Sequence, residues 1–364
     1  MMPEKFKVGT DRLSSEQAIA WFESADEFAL ANCAQQMRNK FNPCDEVTYL
    51  VDRNINYTNV CTTDCLFCGF YRPVGDEGGY VLSKPLLKEK MQELHDLGGS
   101  RILLQGGHNP ELRIKWYEDL FSWMKKEFPD IQIDGLSPSE IDNICTIENL
   151  DTKEVLLRLQ VAGLDYLPGG GAEMLVDSIR QRISKKKISA KRWIDIMDVA
   201  QSLGLKTSAS MVIGVDESYA QRVEHLKLLR DQQDKSLQRG DKGFEAFIMW
   251  PMLLDNNLGK VLKRNEPVAI SEYLKTLALA RVYLDNFDHV QASWPTMGPE
   301  VAEIALHWGA DSIGSTMMEE NVVSQSGAIH PMMTEEMLRR HIEKSGFKAV
   351  KRDSNFELLE TQQG

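Results

Sequence analysis

The sequence predicts an α/β chain folded as one (β/α)8 barrel of the TIM type, with an N-terminal helical cap and a C-terminal extension. Three observations carry this reading. Eight short β-rich runs alternate with amphipathic helical stretches, and that alternation builds a parallel sheet which eight units close. No Pro/Gly/Ser-rich linker divides the 364 residues, which favours one large domain over two. Glycines and polar residues gather just after the strands, on the rim where such barrels keep their chemistry.

Residues 1–43 form the cap, of which 14–41 read as helical. The barrel core spans 44–333. Its strands are expected at 46–57 (EVTYLVDRNINY), 101–105 (RILLQ), 131–135 (IQIDG) and 164–167 (LDYL). The later four are 206–213 (KTSASMVI), 244–250 (FEAFIMW), 290–294 (VQASW) and 311–315 (DSIGS). Over 111–128, Leu112, Trp116, Leu120, Trp123 and Met124 recur at helical spacing, and 273–284 repeats the pattern. Ser137-Pro138-Ser139-Glu140 offers N-cap serines with a carboxylate in the first turn, where the helix dipole favours it. The extension, 334–364, is expected as a helix and a short strand.

The rim segments are unusual. CTTDCLFCGFYR follows strand one, GGHNP strand two, SPSE strand three and PGGGAE strand four. GVDES, PMLLDNN, PTMGP and TMMEENVV follow the rest. A barrel serving only to pack would not need so many glycines and polar groups at one end. PGGGAE lacks the G-K-S/T ending of a phosphate loop.

Composition narrows the classes. Lys plus Arg is 42 against 54 for Asp plus Glu, a net charge of −12, which argues against general nucleic-acid binding. The first residues carry no apolar signal core, and no run approaches the roughly 20 apolar residues of a membrane span. A cytoplasmic location is the expectation. In that reducing setting, six cysteines point to metal or redox chemistry and not to a disulfide framework.

Cys61, Cys65 and Cys68 form a C-x3-C-x2-C array. Three thiolates on one tight loop can hold three irons of a 4Fe-4S cube and leave one iron open to a small molecule. The alternatives are a zinc site completed by His95 or His108, or three structural cysteines that lie close together. Cys33, Cys44 and Cys145 lack the spacing and read as ordinary buried thiols.

The array, with Phe67 before its last cysteine, resembles the signature of the radical S-adenosylmethionine superfamily. More narrowly, RNINYTNVC, CLFCGFYR, LLQGGHNPEL, SPSEI, AGLDYLPGGGAE, RVEHL, LALARVYLDN and EENVV resemble the futalosine branch of menaquinone biosynthesis. That branch groups dehypoxanthine futalosine cyclase, aminofutalosine synthase and the deazaflavin (FO) synthase subunits. Phe247-Ile248-Met249-Trp250, Leu284-Asp285-Asn286, Ala292-Ser293-Trp294 and Glu319-Glu320-Asn321 are most similar to the cyclase pattern. Pro251 to Leu253, Met297, Glu303 and Ser312 depart from it, all on the substrate side.

The resemblance implies a 4Fe-4S cluster on Cys61, Cys65 and Cys68, with S-adenosylmethionine chelating the open iron. It implies hydrogen abstraction from the ribose of dehypoxanthine futalosine by a deoxyadenosyl radical, followed by attack of the carbon radical on the benzoate ring. The implied partners are a small nucleoside-like substrate and a reductase, flavodoxin or ferredoxin as electron donor. The rivals are a sister radical enzyme and a non-catalytic Fe-S scaffold, and the chemistry-rich rim speaks against the scaffold.

The resemblance also distributes roles. Phe67 belongs near the adenine. Gln105, Gly106 and Gly107 belong near the methionine end, or simply form a strand-to-helix turn. Ser137 and Glu140 face S-adenosylmethionine or cap a helix. Glu173 holds the ribose hydroxyls or caps. His108, Glu217, Glu319 and Glu320 are the catalytic candidates, because the cyclisation needs a proton acceptor; the bland reading of the carboxylates is a solvated acidic turn. Asn109, Trp250, Asp285, Trp294 and Asn321 are the substrate candidates, although a Trp at a strand end is commonly core. Lys185, Lys186 and Lys187 read as a solvated loop.

Overall fold

The computed structural model of the chain describes residues 6–253, 257–262, 266–319, 321 and 332–359. In chain order the elements are α1 (Ser15–Ser24), α2 (Glu27–Phe41), β1 (Glu46–Leu50), β2 (Asp52–Asn56), α3 (Lys84–Asp96), β3 (Arg101–Gln105), α4 (Ile114–Glu127) and β4 (Gln132–Gly135). Next come α5 (Pro138–Glu148), α6 (Thr152–Ala162), β5 (Tyr166–Leu167), α7 (Asp177–Ile183), α8 (Ala190–Ser202), β6 (Lys206–Ile213), α9 (Tyr219–Arg239) and β7 (Phe244–Pro251). Then follow α10 (Asn257–Leu262), α11 (Ile270–Tyr283), β8 (His289–Gln291), α12 (Trp294–Met297), α13 (Pro299–Leu306), β9 (Ser312–Ser315), α14 (Glu335–Lys344) and β10 (Lys348–Lys351).

The sheet is curled, parallel and ten-stranded, in the order β10-β1-β9-β8-β7-β6-β5-β4-β3-β2. The expected strand 46–57 is broken only at Val51, whose carbonyl accepts from Ser100 N at 3.2 Å. β1 pairs with β9 and β10, and β2 pairs with β3. The single run that carries β1 and β2 therefore pairs with β9 through β1 and with β3 through β2, so the sheet curls back toward itself in the TIM-type manner. The cap helices α1 and α2 lie on α9 and α11, and their Trp21, Phe22 and Leu30 join the same apolar core as the barrel. Ser14 starts α1 with a capping box: its hydroxyl accepts from Gln17 N, and the Gln17 side chain returns to Ser14 N.

One strand differs from expectation. The run 290–294 stops as strand at Gln291, and Trp294 opens α12 with Pro295 in its first turn. Proline lacks the N–H an inner strand must donate but fits a helix start.

Register fixes the barrel's inner face. Leu103 aligns with Asp134, Asp134 with Tyr166, Tyr166 with Lys206, and Ser210 and Val212 with Ile248 and Trp250. Ile248 aligns with Gln291, and Gln291 with Ser312. With Asp52, Asn54 and Asn56 of β2, this face mixes polar groups with Leu103, Val212, Ile248 and Trp250, where a packed barrel would carry mainly branched apolar residues. Leu103, Gln105, Ile248, Trp250 and Gln291 keep part of their surface exposed while their outward neighbours are buried. The lumen is thus open toward the carboxyl ends of the strands.

Its floor is sealed. Arg101 pairs with Asp52 and Asp134. The chain after β10 passes beneath, where Ser354 Oγ donates to Asp134 at 3.2 Å and Phe356 stacks on His289 at 3.8 Å. Arg352 covers Phe356 at 3.7 Å.

Candidate active site

The cysteine loop follows β2 and rests on two supports. On one side Thr62 N donates to His108 O at 3.2 Å, and His108 N reaches Cys61 Sγ at 3.3 Å. On the other, Leu66 N donates to Ile183 O at 3.0 Å, and Lys186 pairs with Asp64 at 2.6 Å. Cys61 and Cys65 both approach the Thr63 hydroxyl, at 3.0 and 3.6 Å, and Cys68 N closes a turn on Cys65 O at 3.1 Å. The three thiols therefore share one short loop. Burial pushes the Cys65 thiol up to about 11, against the pull of Lys187. The remaining cysteines lie elsewhere: Cys145 is buried near Thr152, but Cys33 is half-buried and Cys44 exposed, which corrects the expectation of three buried thiols.

Glycine is required where the loop meets its first support. A Cβ on Gly107 would overlap the Val60 carbonyl and lie 2.8 Å from Cys61 Cβ, and one on Gly106 would lie 2.6 Å from the Tyr57 ring. Gly107→Ala is expected to push the cysteine loop away, at about 1–3 kcal/mol for overpacking. The check is iron bound per chain after anaerobic reconstitution, which should fall while far-ultraviolet circular dichroism stays native.

Glu140 fixes the same corner from below. One carboxylate oxygen accepts from Tyr57 OH at 2.8 Å and Gly106 N at 3.0 Å; the other accepts from Ser137 Oγ at 2.7 Å. Ser137 in turn caps α5 through Glu140 N at 3.3 Å. Of the two roles expected for this pair, the internal one is what these bonds describe. Burial raises the Glu140 pKa to about 7 in spite of these donors.

Beside the loop, Glu173 takes a left-handed backbone (φ +40°), unusual for a residue with a Cβ. Its Oε1 meets Lys187 Nζ at 2.6 Å and its Oε2 lies 3.7 Å from Arg180. Glu173 Oε2 is buried and accepts no hydrogen bond among the described residues. Lys187 Nζ also stands 5.4 Å from the Phe67 ring centroid, and its side chain is only 13 % exposed. Lys187 is therefore not part of a solvated loop, although Lys186 is. A Cβ on Gly170 would touch Gln105, and one on Gly171 would lie 3.3 Å from Ser139. Phe67, Gln105, Gly106, Gly107, Ser137, Glu140 and Glu173 thus lie along the tops of β2 to β5.

The expected substrate and catalytic residues divide. Trp250 lies on the inner face near the mouth, half-buried. Asn321 Nδ2 donates to Asn56 Oδ1 at 3.3 Å on that face. Asn109 instead turns the chain: it is 2 % exposed, accepts from Glu111 N at 3.0 Å and donates to Thr58 at 3.3 Å. Asp285 is a correction. It sits between α11 and β8, at the floor end, paired with Arg12 at 3.1 Å. Trp294 is another: it is 1 % exposed, with Nε1 donating to Ser315 O at 3.0 Å.

Among the catalytic candidates, Glu217 folds onto its own loop. It accepts from Val215 N at 2.7 Å and pairs with Arg222 at 2.8 Å. Glu319 is paired with Lys90 and, at 3.1 Å, with Arg53; burial would raise its pKa, but Lys90, Asn321 and Arg53 hold it below the ordinary carboxylate value. Burial, reinforced by Lys187, lowers the His108 pKa to about 3, so its ring is neutral at physiological pH. Neither Glu319 nor His108 is poised near neutrality as a base should be. Glu320 lies outside the described residues.

Sequence reasoning missed Lys187, Tyr57 and the inner polar row of β2. A signal for the last was present: Asp52, Asn54 and Asn56 alternate in an otherwise β-rich run, which marks one face of an interior strand as polar.

Comparison with known proteins gives the family and the fold. Residues 55–229 match the Radical SAM superfamily and residues 241–363 match the CofH/MqnC C-terminal region. The chain is 40% identical over 354 residues to the cyclic dehypoxanthine futalosine synthase of Halalkalibacterium halodurans, covering 97% of this chain and 93% of that one. It is 34% identical over 346 residues to the aminodeoxyfutalosine synthase of Thermus thermophilus, covering 94% and 91%. In fold it is similar to methylornithine synthase (TM-score 0.70, 15% identity, 94% of this chain and 96% of that one). It is similar too to the FeFe-hydrogenase maturase HydG of Carboxydothermus hydrogenoformans (TM-score 0.70, 15% identity, 95% and 78%). The chain therefore belongs to the radical S-adenosylmethionine superfamily of enzymes, in the group of the futalosine synthases.

Proposed function

We propose that this enzyme converts dehypoxanthine futalosine to its cyclic form in menaquinone biosynthesis, using a 4Fe-4S cluster and S-adenosylmethionine, in the cytoplasm. The observation that carries the cofactor reading is the pairing of a three-thiol loop with a buried carboxylate oxygen, Glu173 Oε2, that accepts no hydrogen bond among the described residues. Three thiolates suit a cube with one open iron. A carboxylate oxygen lacking a donor suits a hydroxyl-bearing ligand such as a ribose, because an unsatisfied buried acceptor is costly. The substrate reading rests on likeness to the Halalkalibacterium halodurans synthase.

When bound, the cluster and S-adenosylmethionine supply a carbon-centred radical able to abstract a hydrogen atom. The chain's own part is to hold and orient. Cys61, Cys65 and Cys68 would ligate three irons. Phe67 would lie against the adenine and Glu173 Oε2 would accept from the ribose. Gln105 would lie near the methionine end, and Trp250 and Gln291, half-buried on the upper part of the inner face, with Asn56 buried beside them, would meet the nucleoside-like substrate. An external one-electron donor, such as a flavodoxin or ferredoxin, would serve the cluster from outside.

Reduced, reconstituted enzyme should release 5′-deoxyadenosine and consume dehypoxanthine futalosine, read by mass spectrometry. Release of 5′-deoxyadenosine with turnover of the aminodeoxyfutalosine synthase substrate alone would reassign it within the group. No 5′-deoxyadenosine under any condition would overturn the cofactor reading.

A further inference from the structure

The triple-lysine run is the feature the proposed reaction leaves unused. Lys187 is drawn under the cysteine loop, into a site where a lone ammonium is costly. Its partners there are Glu173 at 2.6 Å and the Phe67 ring at 5.4 Å. Glu173 is also approached by Arg180, whose guanidinium is 2 % exposed and donates to the carbonyls of Ala172 at 2.5 Å and Gly171 at 3.1 Å. Two buried cations thus share one carboxylate. The next carboxylate, Asp177, is engaged by Ala190 N at 2.8 Å. Both cations act electrostatically on Cys65, and Lys187 acts on Cys68 as well. Meanwhile Leu66 N is tied to Ile183 O, which fixes the loop to the segment that carries Lys187.

We propose that Lys187, supported by Arg180, is a built-in countercharge that raises the reduction potential of the cluster on Cys61, Cys65 and Cys68. The proposal rests on the reading of those cysteines as cluster ligands. Three thiolates outweigh the charge of the core, so the site is anionic when oxidised and gains one more negative charge on reduction. That electron comes from the external one-electron donor, which is oxidised by one electron. No bond breaks, and no proton moves. A buried cation stabilises the reduced form more than the oxidised one, and weak screening makes the effect larger than at a surface. Lys186 supplies the contrast: it too acts on a cluster cysteine, Cys61, but from an exposed pair with Asp64 where solvent screens the charge and the effect is small.

The test is a redox titration of reconstituted enzyme without S-adenosylmethionine, followed by electron paramagnetic resonance. Lys187→Met is expected to lower the reduced-to-oxidised ratio at fixed potential by about tenfold, about 59 mV for one electron. Lys187→Arg keeps the charge and should restore the wild-type midpoint, and Lys186→Met should leave it in place. Glu173→Gln removes the shared carboxylate and should move the midpoint the opposite way, which keeps the idea testable if Lys187→Met does not fold. Unchanged midpoints in Lys187→Met or Glu173→Gln, or shifts of equal sign in both, would overturn the countercharge while the cluster assignment stood. Failure of the wild type itself to assemble a reducible cluster would overturn the cofactor reading instead.

Discussion

Alanine at Cys61, Cys65 or Cys68 is expected to abolish the visible charge-transfer absorption of the reconstituted enzyme, and with it all release of 5′-deoxyadenosine. Each cysteine would serve its own iron corner, while Cys33 stands on α2, Cys44 between α2 and β1 and Cys145 on α5. The loop should survive each change. Three of its anchors are backbone bonds that need no thiol, from Cys61 N to Arg72 O at 2.9 Å, Thr62 N to His108 O at 3.2 Å and Leu66 N to Ile183 O at 3.0 Å; alanine at Cys61 gives up only the 3.3 Å contact from His108 N and the one to Thr63. Loss of the cluster with native circular dichroism is thus the expected pattern. Alanine at Cys33, Cys44 or Cys145 should leave iron content as in the wild type. A full cluster in Cys65→Ala would sink the ligand assignment.

Local signals served well for the elements that local chemistry dictates. The strand–helix alternation and the α5 cap at Ser137 are both present, because each is written within a few residues. What failed depended on tertiary placement. Asp285 belongs to the floor because it follows a helix and precedes a strand, which the expected helix 273–284 and strand 290–294 already implied; its substrate role came from the resemblance alone. Lys187 looked solvated because a run of lysines carries no sign of the carboxylate awaiting one of them; Glu173 lies fourteen residues back, across α7. Glu217 looked free because its partners are backbone N–H groups of its own loop and Arg222, a turn into α9. The rim was legible as a place, but which of its carboxylates stay unpaired was not.

Glu140 gives the second large effect, and pH separates its two variants. Its pKa rises in the folded chain from an ordinary 4.5 to about 7, chiefly through burial, so between those values the folded state binds more protons than the unfolded one. Stability therefore falls as pH rises through this window, by about 3 kcal/mol for this group. Glu140→Gln keeps an acceptor for Tyr57 and Gly106 and carries no charge at any pH. It is expected to match the wild type near pH 4.5 and to exceed it above pH 7, where the wild-type carboxylate is ionised in the interior. Asp134, raised to about 6, and Glu245, raised to about 7, titrate in the same window but are present in both proteins, so the difference between them isolates Glu140. Glu140→Ala is different in kind. It leaves Tyr57 OH, Gly106 N and Ser137 Oγ without their acceptor, at about 1–3 kcal/mol for each group left unsatisfied, and lowers stability at every pH. Urea unfolding from pH 4.5 to 8 checks both; equal slopes in the wild type and Glu140→Gln would remove Glu140 as the titrating group. The two variants should also part in iron content. Gly106 and Gly107 form the shelf on which Cys61 rests, so the alanine variant should bind less iron than the glutamine variant.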